Sequence, residues 1–259
     1  MSKKPSLLQE IRANLPEGLR SLGLLLNDND RCFAKLRNIH QGKRCFIIGN
    51  GPSLRAADLE KMRNEISFAA NKIYLLYPQT AWRPTYYNVE DALVATQNSK
   101  EIDEINGPKK FFRRSFSKIL KDTGDVIWYR DDHEYKPFPQ FSAKPVHRLF
   151  WGSSVTYINL QLAAFMGCSK MYLLGMDFNF TSAAKQSAAG QHVAGGEVNH
   201  FSPDYRKPGE LWNQANLDIQ LAALKCAQAY GRAHQFEIFN ATRGGKLEVF
   251  PRVDFDSLF

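Results

Sequence analysis

Apolar positions along the chain fall into two kinds of run. Short, largely apolar runs bounded by turn residues occur at Cys45–Ile48, Ile66–Ala70, Thr85–Val89, Lys110–Arg114, Val126–Tyr129, Lys170–Leu174 and Phe236–Phe239, and read as strands of a buried sheet. Between them lie segments of helical spacing, Leu54–Arg63, Ala92–Ile105, Ser153–Met166 and Trp212–Gly231. Ser153–Met166 is so rich in Ala, Leu and Ile that it reads as buried, with Ser153 or Ser154 placed to cap it. Strands alternating with helices predict an α/β fold: a Rossmann-like, mostly parallel sheet flanked by helices, binding ligands at the carboxyl ends of its strands. Residues 1–40 form a helical preface in this reading, with Leu7, Leu8, Ile11 and Leu15 on one face. The Rossmann-like domain then spans 41–259, and its Ala-, Gly- and Ser-rich stretch 181–210 has the composition of a lid.

Polar residues stand where that rule puts a ligand. Asn50 follows one strand, Asn71 another, Asn88 to Asp91 a third and Asp177 a fourth. The first strand breaks into Gly49-Asn50-Gly51-Pro52-Ser53, a turn of the size that cradles a phosphate. Here Gly49 and Gly51 let backbone approach a ligand, and Ser53 is placed to cap the following helix. Glycines alone are common in strand-to-helix turns; the five-residue combination is far more specific. Tyr74, Tyr77, Trp82, Tyr86 and Tyr87 are dense enough to be either a sugar-stacking face or core packing.

Composition narrows the class further. With 259 residues, 44% of them hydrophobic and 23% charged, the chain can bury a sizeable core and is no disordered polymer. Its formal charge of +8 leaves three kinds of partner: nucleic acid, an anionic membrane face, or an anionic small substrate. The one basic run with aromatics, Lys109–Arg114, comes without a nucleic-acid-binding module, so nucleic acid is set aside. Cys32, Cys45, Cys168 and Cys226 are scattered and form no metal or redox pair. No signal core or bilayer-length apolar stretch occurs, and the expectation is a cytoplasmic protein, with a basic preface suited to the periphery of an inner membrane.

Taken in order, Gly49-Asn50-Gly51-Pro52-Ser53-Leu54, Ala70-Asn71-Lys72-Ile73-Tyr74, Gly152-Ser153-Ser154-Val155, Tyr172-Leu173-Leu174-Gly175-Met176-Asp177-Phe178 and His200 resemble the bacterial sialyltransferases of the Cst type, glycosyltransferase family 42. They also resemble the related motility-associated-factor (Maf) glycosyltransferases. The resemblance implies a CMP-sugar donor of the nonulosonic type, a glycan or glycoprotein acceptor, no required cofactor and self-association. It places Gly49, Asn50, Gly51, Ser53, Asn71, Asn88, Ser153, Ser154 and Asp177 at the donor, and His200 as the general base. Two departures stand out. Asn179 occupies the place of a family tyrosine that contacts the donor phosphate, and His200-Phe201-Ser202-Pro203-Asp204-Tyr205 follows the Maf branch, which makes Tyr205 the candidate replacement phenol.

The chemistry asks for a base near neutrality on the acceptor hydroxyl and for stabilisation of the departing phosphate. His200 is favoured over His133, His147, His192 and His234, with His192 the rival inside the lid. Helix-start amides around Ser53 and Ser153, with Arg148, Arg206 or Lys207, are the candidates for the phosphate. At the strand end Glu90-Asp91 is adjacent rather than spaced by one as in the Asp-x-Asp pair of metal-dependent enzymes, so its side chains point to opposite sides of an extended chain, which favours metal-independent chemistry. Two alternatives stand beside this reading. One is an MptE-like, ATP-dependent pyrophosphokinase with magnesium on Glu90, Asp91 and Asp177; the other is a non-catalytic nucleotide-binding scaffold.

Overall fold

Seven strands build one parallel sheet: β1 Arg44–Ile48, β2 Ile66–Ala70, β3 Tyr86–Val89, β4 Lys109–Arg113, β5 Val126–Tyr129, β8 Lys170–Leu174 and β12 Glu237–Asn240. Two-residue strands complete the set: β6 Asp131–Asp132 pairs β7 Leu149–Phe150, while β9 Lys185–Gln186, β10 His192–Val193 and β11 Leu211–Trp212 form a small antiparallel sheet. The helices are α1 Asp28–Ala34, α2 Ala56–Lys61, α3 Ala92–Gln97, α4 Ser99–Asp103, α5 Val155–Phe165 and α6 Leu217–His234. This computed structural model describes Leu19 and residues 22–180, 185–187, 191–196 and 198–259. Half of the preface, including Leu7, Leu8, Ile11 and Leu15, and residues 181–184, 188–190 and 197 of the lid lie outside the described residues.

Strand order is β12-β8-β1-β2-β3-β4-β5. The chain runs outward from β1 to β5 and then returns to the other side of β1 for β8 and β12. The order therefore reverses between β1 and β8, and a crevice opens there at the carboxyl ends of the strands. Both faces of the sheet are covered, which is why its strands read as continuous apolar runs. Cys45 and Ile47 of β1 face a layer containing Phe165, Leu160 and Ala227, while Phe46 and Ile48 face Leu59, Met62 and Trp82. Helix α5 is buried along almost its whole length, and the Ser154 side chain accepts from the Thr156 amide at its start. Tyr87 and Trp82 are core, so the aromatic stretch packs the interior.

Three predicted helices start or break elsewhere than their apolar spacing predicts. The segment 92–105 breaks at Asn98, whose amide nitrogen donates to the Val94 carbonyl and whose backbone leaves helical geometry. Helix α6 begins at Leu217 rather than near Trp212, because β11 pairs with β10 and Asn216 caps Ile219. Helix α2 starts after Arg55, which supplies no side-chain cap. At the far edge, Asn29 in α1 donates to and accepts from the backbone of Trp128 at 2.9 and 2.8 Å, blunting strand β5, while Phe33 packs edge-on against Phe111 and Phe165.

Candidate functional site

The turn after β1 is clamped to the turn after β8. Gly49 N–H donates to Leu174 O at 2.7 Å and Gly51 N–H to Gly175 O at 2.9 Å. A Cβ on Gly51 would run into the Asp177 carboxylate and stand 2.7 Å from Gly175 O, and one on Gly49 would stand 2.8 Å from Met176 Sδ. These glycines are thus required by the approach of two protein turns, where the sequence reading assigned them to the approach of a ligand. Ser53 also has a different task from capping α2. Its hydroxyl donates to Asp177 Oδ2 at 2.8 Å and its amide faces both carboxylate oxygens at 3.2 and 3.3 Å. A carboxylate therefore occupies the anion position at this turn, which takes it away from a phosphate.

A cleft of about 630 Å³ lies at this junction. Gly49, Asn50, Gly51, Asn71, Ser154, Asp177, His200 and Tyr205 all line it, as do Thr156 and Gln220, which the sequence did not single out. Asn50 donates its amide to Ala70 O at 3.1 Å, leaving its buried carbonyl oxygen without a protein partner. The side-chain oxygen of Asn71 is likewise buried and unpartnered. Two such acceptors fit a ligand that offers hydroxyl or amine hydrogens. Asn71, Ser153 and Phe178 hold positive φ angles of 52°, 59° and 53°, strain concentrated around the crevice. Asn88 sits elsewhere: it is 1% exposed, donates to Asn159 and accepts from Tyr129, so it braces the interior below the strand end. Ser153 lines the adjoining cavity, and its carbonyl accepts from Gln220 at 2.7 Å.

His200 enters the cleft from the lid. Phe201 N–H donates to Asn50 O at 3.1 Å, and the His200 ring lies flat on Tyr205 with centroids 3.7 Å apart. Burial, helped by Arg206 and Lys72, pushes the His200 imidazole down to about 3. The surroundings thus hold it neutral with little basicity, in contrast to the near-neutral value expected of a base. Burial raises the Tyr205 phenol, which a backbone bond from Lys72 partly offsets. His192 is taken up in packing on Trp212, at 4.8 Å between centroids, and does not line the cleft. Two of the three proposed phosphate cations already have partners: Arg148 pairs with Asp132 at 2.8 Å, and Arg206, close enough to act on His200, lies 3.6 Å over Trp212. Among the described residues lining the cleft, Asp177 is the one formally charged side chain.

Past Asn71, Ser154 and Gln220 a second cavity of about 1210 Å³ opens. It contains Glu90, Asp91, Arg113, His133 and Trp151. His133 Nε2 lies 2.6 Å from Asp131, and the imidazole stacks on Trp151 at 4.9 Å. Donor atoms of Glu90, Asp131 and His133 come within 4.8 Å of one another, close enough to share a cation. The Arg113 guanidinium already stands there, 2.9 Å from Asp131 and 3.8 Å from Glu90. Burial raises the Glu90 carboxyl to about 7; Arg113 offsets only part of this, and the neighbouring Asp131 and Asp91 charges add to the rise. Asp177 belongs to the first cleft and Glu90 and Asp91 to the second, so the three carboxylates of the magnesium alternative line different cavities. The polar cluster just after β5, Asp131-Asp132-His133, is the one local signal in the sequence that could have pointed to this cavity, and the sequence reading did not single it out.

The family model for 6-hydroxymethylpterin diphosphokinase MptE-like proteins matches residues 24–183, more than half of the chain. The chain belongs to the MptE-like family. Among solved structures, the MptE-like chain is similar in fold to a Maf glycosyltransferase from Magnetospirillum magneticum AMB-1, with TM-score 0.54 and 15% identity over 99% of this chain and 43% of that one. It thus spans less than half the length of that protein. The sialyltransferase CstII from Campylobacter jejuni, solved with the substrate analogue CMP-3FNeuAc, matches at 12% identity over 82% of this chain and 86% of that chain, with TM-score 0.43. None of the curated proteins compared matches the sequence. Among the described residues no helix is long and apolar enough to cross a membrane.

Proposed function

We propose that this chain is a glycosyltransferase using a CMP-activated sugar of the nonulosonic type. The acceptor is a hydroxyl of a glycan or glycoprotein in surface-polymer assembly, and transfer inverts the anomeric centre. The observation that carries this reading is the charge of the first cleft: asparagines, backbone and one carboxylate, with no cationic side chain among its described lining residues. A CMP-nonulosonic acid brings two separated negative charges, one on the phosphodiester and one on the sugar carboxylate, whereas a nucleoside triphosphate concentrates several on one phosphate chain, and each would meet Asp177 with only Arg206 and Lys72, beside His200, to offset them. The unpartnered oxygens of Asn50 and Asn71 supply acceptors for ribose hydroxyls or a base amine.

In this mechanism the acceptor oxygen attacks the anomeric carbon from the face opposite CMP. His200 takes its proton as the glycosidic bond to the phosphate breaks. The incoming phosphate offsets the fields of Arg206 and Lys72 that depress the imidazole, so donor binding raises its basicity. The first turn of α5, where Val155 and Thr156 meet the cleft, and the Tyr205 hydroxyl stabilise the departing phosphate. The test is CMP release from CMP-sialic acid, measured with and without magnesium. Metal-independent release that His200→Ala abolishes supports the reading, and no release from any CMP-sugar rejects it.

The family match favours one second reading, diphosphoryl transfer from ATP. That chemistry calls for a divalent cation beside the phosphates, and the carboxylates of the second cavity are its nearest source. AMP formation that requires magnesium and a hydroxymethylated pterin would establish it instead.

A further inference from the structure

The second cavity has no task in donor binding, yet it shares Asn71, Ser154 and Gln220 with the donor cleft. A molecule filling it would end beside the reacting sugar. Its wall combines groups that seldom line the same packed interior. Trp151 is only half-buried, and its backbone is fixed: its amide donates to Asp132 O at 2.9 Å and its carbonyl accepts from Tyr135 Oη at 2.6 Å. His133 covers one face of the indole at an interplanar angle of 21°. Glu90, Asp91, Asn213 and Asn216 stand around it.

We propose that this cavity is the acceptor site and takes the terminal ring of a neutral glycan, with Trp151 as the apolar platform and Glu90, Asp91, Asn213 and Asn216 as partners for its hydroxyls. The proposal rests on the glycosyltransferase reading. Three features select this ligand class. A rigid aromatic surface matches the C–H face of a pyranose, at little ordering cost because the ring is already held. Planar carboxylates and amides accept from, and donate to, neighbouring hydroxyls. The charge is also selective: Arg113 is engaged by Glu90 and Asp131, leaving Asp91 as a further negative group, so an acidic sugar terminus is repelled.

Saturation-transfer NMR on the full chain, saturated with CMP, tests the site with methyl β-galactoside, methyl β-glucoside and methyl N-acetyl-β-glucosaminide as probes. At least one should receive saturation from the protein. Trp151→Ala should weaken that probe tenfold or more, while CMP still raises the melting temperature of the variant and so shows an intact donor cleft. Glu90→Gln, a smaller change, should weaken it severalfold. The proposal is overturned if no neutral glycoside binds, if Trp151→Ala binds it as wild type does, or if 6-hydroxymethylpterin displaces it from the cavity. Sugar binding without any CMP-induced stabilisation would instead reject the donor reading and leave the sugar site standing.

Discussion

The cleft between β1 and β8 is walled by glycine, asparagine and backbone, whereas the cavity past Ser154 is walled by carboxylates, a guanidinium and an indole. In the first, two turns are pressed together so closely that a Cβ on Gly51 has no room. In the second, the side chains stand around open volume. Each holds a buried titratable group that burial drives toward the neutral form: His200 down to about 3 and Glu90 up to about 7. Adjacent cavities of such different make-up suit two different ligands, and ones that must meet.

The largest effect expected is on catalysis at the first cleft. His200→Ala should lower turnover by about 10²- to 10⁴-fold, the range for loss of a general base, while leaving CMP binding in place. Unchanged turnover would remove His200 from the mechanism. Next is stability. Gly51→Ala should reduce unfolding free energy by about 1–3 kcal/mol in urea titrations, as overpacking does, whereas Asn213→Ala on the open wall of the second cavity should stay within about 0.5 kcal/mol. Equal losses would erase the contrast between a packed junction and an open cavity.

A smaller effect is expected at Tyr205. Loss of one hydrogen bond to the departing phosphate in Tyr205→Phe should slow turnover about tenfold, the equivalent of about 1.4 kcal/mol. A variant as fast as wild type would show that the ring only supports His200. The subtlest test is the sign of two pH dependences. The His200 folded value lies below the ordinary imidazole value of 6.5, so the unfolded chain binds the extra proton and stability falls as pH drops from 6.5 toward 3. Glu90 lies above the ordinary carboxyl value of 4.5, so the folded chain binds the extra proton and this contribution is lost as pH rises from 4.5 to 7. In thermal melts across that range, His200→Gln should flatten the first slope and Glu90→Gln the second.

Much of the frame was legible because it depends on local pattern. Runs such as Cys45–Ile48 are buried on both faces, and strand ends carry Asn50, Asn71 and Asp177 to one edge. What escaped depends on contacts distant in the chain. Ser53 looked like a helix cap because Asp177, its actual partner, lies 124 residues away. Asn88 looked like its neighbours at strand ends, but the strand's pleat turns it toward Asn159. The second cavity needs β3, β4 and β5 side by side before Glu90, Arg113 and Asp131 become neighbours, and no spacing in the sequence announces that order. Gln220, inside a helix, carries no mark of its place between the two cavities.

The most direct test of the central claim is thermal stability of the purified chain against CMP and ATP, each with and without magnesium. A ligand at a hundred times its dissociation constant stabilises by roughly 2.7 kcal/mol, a readable shift. The account predicts stabilisation by CMP that is indifferent to magnesium, and none by ATP alone. Stabilisation by ATP only with magnesium, with CMP inert, would contradict it and move the chain to diphosphoryl transfer.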